Sequence, residues 1–258
     1  MQAKPSPRGG PHALREACVR LNAPVMLSSS HKVMNITAKF WDRNTKTYEQ
    51  QEARYPHIHA RNIENARKYL RANDLVLDFG CATGTKALDL AAHVREIQGT
   101  DISSKMVAAA KRNAAERKVR NVNFAQATIF DQHFADRAFD VILAFGILHL
   151  LKDLPQVLQR INELLKPGGW FVSSTACMGR NDAILAWINR LLSIPARIGL
   201  LPTLQFLKIP ELEATITHAG FTIAETKTVP FNPADERPYV VGRFIAAQKA
   251  HGSSEETL

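Results

Sequence analysis

Two periodicities share this chain. Apolar residues recur at helical spacing over 36–51, where Phe40, Trp41 and Tyr48 fall, and over 57–71, where Ile58, Ile63, Ala66 and Leu70 fall between Arg, Lys and Asn. Then the pattern tightens. Leu75-Val76-Leu77-Asp78-Phe79 reads as a short buried strand closed by a glycine-containing turn, and helical spacing resumes through Leu88, Leu90 and Ala91. The alternation continues with a strand at 96–100, a helix at 103–117, strands at 122–125 and 139–144, and a helix at 153–166. That helix is expected to stop at Lys166-Pro167-Gly168-Gly169, with a strand at 170–174 beyond it. A helix at 210–219 leads through Gly220 into a strand at 221–228, and a strand at 239–247 follows with no helix between them. Strand alternating with helix predicts an α/β fold, a mostly parallel sheet with helices on both faces. The missing last helix predicts an antiparallel final strand.

The 258 residues, 45% apolar and 22% charged, fit one large globular domain with appendages. Residues 1–33 carry several prolines, a Ser28-Ser29-Ser30 run and a single acid, Glu16, and read as a disordered extension or an organelle-targeting segment. Residues 34–248 read as the domain and 249–258 as a tail. No run of 18 apolar residues lacks charge and proline, so no spanning helix is expected. Cys18, Cys81 and Cys177 make no CxxC pair, which argues against a zinc knuckle or a disulfide framework and suits a reduced, cytoplasmic compartment. The net charge of +9 is uneven: residues 1–70 hold 12 Lys/Arg against 5 Asp/Glu, leaving the body nearly neutral. A nucleic-acid partner is therefore not expected, whereas a weak contact with an anionic membrane surface is compatible with the basic arm.

The most informative stretch is LVLDFGCATGTKALDL. Gly80 and Gly84 permit a sharp bend and close approach of a ligand, and Ala82 stands where a third glycine is expected. Seventeen residues after Gly84, at the end of the second strand, comes Asp101, placed to accept hydrogen bonds from the two hydroxyls of a ribose. A dinucleotide site would need GxGxxG and a diphosphate on the helix N-terminus. The spacing here is GxAxG, and Asp78 would repel a diphosphate but suit a cationic group. The ligand implied has a ribose and a positive charge.

DFGCATG, GTDIS, FDVILAFGILHLL and LLKPGGWFVSS together resemble the successive motifs of class I S-adenosylmethionine-dependent methyltransferases, in the style of the ubiquinone/menaquinone and related small-molecule enzymes. The resemblance covers about residues 36–247 and implies a Rossmann-like, seven-stranded sheet with an antiparallel last strand. It implies S-adenosyl-L-methionine as cofactor, with Asp78, Gly80, Cys81, Ala82 and Gly84 around the methionine part and Asp101 on the ribose. Ile102 is implied against the adenine, Met106 among the cofactor-binding residues, and Ala144 and Phe145 on the methionine side. Thr128 stands where the family usually has Asp or Asn reaching the adenine amino group, so its hydroxyl or the Ile129 backbone is expected to substitute.

Methyl transfer asks the protein mainly to position an acceptor and exclude water, with a base where the acceptor must lose a proton. His149, just beyond the fourth strand, is the candidate base, and Tyr48, on the N-terminal helical lid (34–72), the second candidate catalytic residue. Trp41 and Phe40 read as lid packing. His57 and His59 lack a carboxylate or cysteine at ligand spacing, so no metal is expected. The Leu- and Ile-rich stretch 183–209, within a cover insertion at 176–209, is expected to cap a small apolar or aromatic acceptor or to rest on a membrane. The competing readings are a nicotinamide-dependent oxidoreductase, disfavoured by the loop spacing, and a binding protein that kept the fold without catalysis.

Overall fold

A computed structural model describes residues 29–178, 205, 207–235 and 238–250. The chain divides between Val33 and Met34, and the second unit, Met34–Leu258, carries everything below except Ser29–Val33 at the start of the first helix. Most of the predicted stretch 183–209 lies outside the described residues.

Helices α1 (Ser29–Glu52) and α2 (Pro56–Ala66) precede strand β1 (Leu75–Phe79). Then come α3 (Thr85–Leu90), β2 (Glu96–Asp101), α4 (Ser104–Glu116), β3 (Val122–Gln126) and β4 (Phe139–Phe145). A single 3-10 turn, Leu148–Leu150, leads to α5 (Leu154–Leu164) and β5 (Leu165–Met178). The chain ends in β6 (Leu207–Lys208), α6 (Ile209–His218), β7 (Phe221–Pro230) and β8 (Val240–Lys249).

The strands form one sheet in the order β3-β2-β1-β4-β5-β8-β7, with β6 a two-residue addition at the end of β5. β1, β2, β3, β4 and β5 run parallel, and β8 is antiparallel to both β5 and β7. The topology is the expected one, with eight strands rather than seven because Leu207 and Lys208 pair with Cys177 and Met178. One face packs Leu77, Ile142, Phe171 and Ile245 against Leu154, Leu158 and Ile161 of α5. The opposite face packs Val76, Val141, Val172 and Phe244 against Ala66 of α2, Ala87 of α3 and Ala110 of α4. α5 follows from its sequence: Leu154, Val157, Leu158, Ile161 and Leu164 recur on one buried face, and the Asp153 side chain caps the N-terminus by accepting from the Gln156 N–H at 3.3 Å.

The proline and glycines after α5 do not open a turn. α5 stops at Leu164, and the backbone passes straight into β5, carrying Pro167, Gly168 and Gly169 inside the strand. The ladder absorbs them as an irregularity, because Phe139 pairs with Leu165 while Val141 already pairs with Trp170. Gln248 and Lys249 of β8 then satisfy the Gly168 and Leu165 carbonyls, at 2.9 Å each. The expected second helix is also shorter: α2 ends at Ala66 and continues only as a 3-10 turn to Tyr69.

Candidate active site

β1 delivers the chain to Gly80 at the carboxyl end of the sheet, where φ is +75° and an added Cβ would lie 2.2 Å from Ile147 Cδ1. Gly84, at φ +79°, would meet Phe124 Cζ at 2.6 Å. Only glycine fits either place. Between them Ala82 also takes a left-handed φ of +48°, a conformation that costs an alanine on the order of 1–2 kcal/mol. The strain is offset locally. The Gly80 and Cys81 N–H groups donate to the Thr100 carbonyl at 2.8 and 2.9 Å, and the Ala82 N–H donates to Asp101 Oδ2 at 3.1 Å.

Asp101 thus ties the loop to the end of β2. Its other oxygen, Oδ1, accepts from the Ser103 N–H at 2.8 Å. Each carboxylate oxygen can accept twice, so both keep a lone pair for a diol. Burial raises the Asp101 carboxyl above its ordinary value even though these N–H groups favour its charged form. Asp78, 2% exposed, makes no hydrogen bond among the described residues. Burial pushes its carboxyl up to about 7, with Lys86 opposing the shift and the negative fields of Asp101 and Glu52 adding to it.

α1 is fastened on both sides of this loop. Asp42 accepts from Ser103 Oγ at 2.6 Å and from the Lys105 N–H at 3.1 Å, at the start of α4. Ten residues on, about 15 Å along the helix axis, Glu52 accepts from Thr85 Oγ1 at 2.8 Å and pairs with the Lys86 ammonium at the start of α3. Burial opposes ionisation of Glu52, but hydrogen bonds from His59 and Lys86 and the Lys86 charge hold it at about 2. Tyr48 lies between the two fastenings. Burial pushes its phenol up to about 12, and it feels the charges of Lys86, Glu52, Asp101 and Asp78. His59 is not isolated as its sequence neighbourhood suggested. Its Nε2 meets Asp89 Oδ2 at 2.6 Å, and Glu52 lies 3.9 Å from Nδ1. Arg117 and Lys86 occupy the same carboxylates, so the cluster is a set of ion pairs.

Beyond β4 the surroundings change. His149 sits in the 3-10 turn Leu148–Leu150; its Nδ1 is buried, and its ring makes no hydrogen bond among the described residues. Burial alone pushes the imidazole down to about 4, so it is neutral at physiological pH. Nearby in the fold, β5 runs beside β4 with Ala144 opposite Ser173. Ser173 and Thr175 are buried on β5 with hydroxyls that have no partner among the described residues, and Cys177 continues the same alternation.

Residues 70–197 match the family model of a methyltransferase domain. The ubiquinone biosynthesis O-methyltransferase of Azorhizobium caulinodans is 29% identical over 168 residues, covering 61% of this chain and 62% of that one. The protein of the same name from Methylobacterium nodulans is 28% identical over 189 residues, covering 67% and 72%. In fold, the solved geranyl diphosphate methyltransferase in complex with SAM superposes with a TM-score of 0.60 at 15% identity, covering 74% of this chain and 85% of that one. The chain belongs to the S-adenosylmethionine-dependent methyltransferases.

The residues fit that family's cofactor. A methyltransferase must hold a cationic nucleoside, and this one has a buried carboxylate, Asp78, without a hydrogen bond among the described residues, and a second carboxylate, Asp101, with accepting capacity that would suit a diol, on either side of a loop whose glycines leave no room for side chains. The remaining expected positions divide. Ile102 is half-buried beside Asp101, and Phe145 ends β4 with Ala144 behind it. Met106, Cys81 and Ile129 are buried side chains, Ile129 within the core, so a nucleoside would meet the backbone at Ile129. The Thr128 hydroxyl is turned toward its own chain, accepting from the Phe130 N–H at 3.3 Å. Sequence reasoning missed Asp42, Glu52 and Lys86. One signal for Lys86 was available. A lysine in the first turn of a helix opposes the helix dipole, so it calls for a nearby acid, which the fold supplies from α1.

Proposed function

We propose that this methyltransferase transfers the methyl group to a hydroxyl of a small lipophilic or aromatic acceptor, with His149 as the base. The observation that carries the reading is the His149 imidazole, neutral and without a hydrogen-bond partner among the described residues, at the carboxyl end of β4. The relatives, O-methyltransferases of ubiquinone biosynthesis, support oxygen as the receiving atom and a quinol-like ring as its carrier.

When bound, S-adenosylmethionine supplies an activated methyl on a positively charged sulfur, open to in-line displacement. Asp101 would hold the ribose and Asp78 would face the cationic end, while Gly80 and Gly84 let the backbone come close. Tyr48 and α1 would close over the loop and exclude water. The acceptor hydroxyl gives its proton to a His149 ring nitrogen as its oxygen takes the methyl. A base of low pKa is weak, so the proton would pass to the His149 ring nitrogen while the oxygen's new bond forms rather than beforehand.

The test is methyl transfer to a panel of lipophilic catechols, phenols, thiols and amines. His149→Ala should lower kcat with the phenolic acceptors by roughly 10²–10⁴-fold and leave S-adenosylhomocysteine affinity unchanged. Transfer only to thiols or amines, or an unaltered kcat in the variant, would overturn the assignment.

A further inference from the structure

We infer that the cavity between α2 and the carboxyl end of β7 binds a small oxyanion, a phosphate or carboxylate group. The cavity, of about 370 Å³, is lined by His57, Arg61, Asn65, Lys227, Thr228 and Pro230 among others. His57, Arg61 and Asn65 follow one another at spacings of four, so α2 presents them on one face. Lys227 comes from β7. Among the described residues the lining therefore holds two permanent cations and no carboxylate.

The hydrogen-bond inventory shows what these groups lack. Lys227 Nζ donates to Asn65 Oδ1 at 2.7 Å and meets Glu225 Oε1 at 3.2 Å. An ammonium has three donors, so one remains. Glu225 does not neutralise this lysine by itself. It also takes Lys68 at 2.7 Å and the Tyr69 hydroxyl at 2.6 Å, and these bonds, Lys68 first, hold its carboxyl at about 2. The bond from Lys227 fixes which end of the Asn65 amide is oxygen. That leaves Asn65, 1% exposed, with an Nδ2 that is buried and unpartnered among the described residues, a donor in need of an acceptor. The Arg61 guanidinium makes no hydrogen bond or ion pair among the described residues, and its planar fork suits a two-oxygen acceptor. His57 Nε2 donates to the Pro230 carbonyl at 3.2 Å, pinning the cavity's mouth to the end of β7.

The position separates this site from the nucleoside acids. β7 is parallel to β5, so Pro230 lies at the same end of the sheet as Gly80. It stands four strands from β1, about 19 Å at ordinary strand spacing. Beyond a Debye length the Asp78 and Asp101 charges do little to repel an anion there.

The test follows backbone and side-chain amides by ¹⁵N NMR as inorganic phosphate is added to the full chain. Phosphate should shift the Asn65 side-chain amide and the Arg61 Nε–H, with an affinity that falls as salt rises. Arg61→Gln, a change at an exposed position, should weaken binding by roughly tenfold while S-adenosylhomocysteine affinity stays constant. A parallel arm sediments the protein with phosphatidylcholine vesicles with and without phosphatidic acid. Arg61-dependent capture by the acidic vesicles identifies a headgroup as the source of the anion; phosphate binding without capture identifies a soluble one. No shift at these residues, or a shift of equal affinity in Arg61→Gln, would overturn the inference.

Discussion

The two ends of the reaction path in this protein are built from opposite materials. At the loop after β1 the polar groups are charged: Glu52 and Asp78 act on the Lys86 ammonium, with Asp101 at the end of β2 and Asp42 against the start of α4. After β4 and along β5, the polar groups are neutral: the His149 ring, the Ser173 and Thr175 hydroxyls, and a Cys177 thiol that burial pushes up to about 11. The first region recognises charge and fixes it with backbone N–H groups. The second presents apolar walls with a few unpaired neutral atoms. The proposed pairing of a cationic nucleoside with a lipophilic acceptor would gain from that asymmetry, because each ligand is poorly solvated by the other's wall.

The sharpest way to break the comparison is at Asp101. Asp101→Asn keeps the shape but removes the charge and one acceptor, and it frees a loop N–H from its partner. S-adenosylhomocysteine affinity measured by calorimetry should fall about a hundredfold. An unchanged affinity would remove the charged region from the cofactor's path altogether. Gly80→Ala comes next. Its Cβ would overlap Ile147, and the positive φ adds strain, so thermal melting should show a loss of about 1–3 kcal/mol along with weaker nucleoside binding.

Asp78 gives a pH signature. Its carboxyl titrates near 7 in the free protein, and a cation prefers the ionised form, so affinity should rise as pH increases from about 6 to 8 with net release of a proton. Stability runs the other way. A folded pKa above the unfolded one means the folded state binds the extra proton between about 4 and 7, and its stability declines as pH rises through that window. Asp78→Asn should therefore raise the melting temperature at pH 8, show little gain at pH 4, and flatten the pH dependence of binding. A pH-independent affinity in the parent protein would contradict this. By contrast kcat, governed by a histidine already neutral above about 5, should be level across the same range. The smallest effect belongs to Glu52→Gln. It weakens one fastening of α1, and we expect a few-fold faster nucleoside dissociation in stopped flow with kcat for the chemical step little changed.

What the sequence displayed was mostly local. The β1 strand, the glycine turn and Asp101 are all legible because backbone geometry demands particular residues within a few positions of one another. α5 is legible through its five buried apolar positions. The length of β5 was not, since Pro167-Gly168-Gly169 looks like a stop until β8 provides donors for the carbonyls they expose. Nor were the contacts of α1, which join Glu52 to Lys86 and Asp42 to Ser103 across long stretches of chain. His149 could be placed by its strand but not characterised. Its neutrality comes from burial, which no spacing rule records.

The double fastening of α1 bears on how the protein would behave over repeated cycles. In the proposed arrangement a spent nucleoside would lie beneath a helix pinned at Asp42 and Glu52 and could not be traded for a fresh one until a pin is drawn. The opening round would then run at the pace of the chemistry, and every later round at the pace of the door.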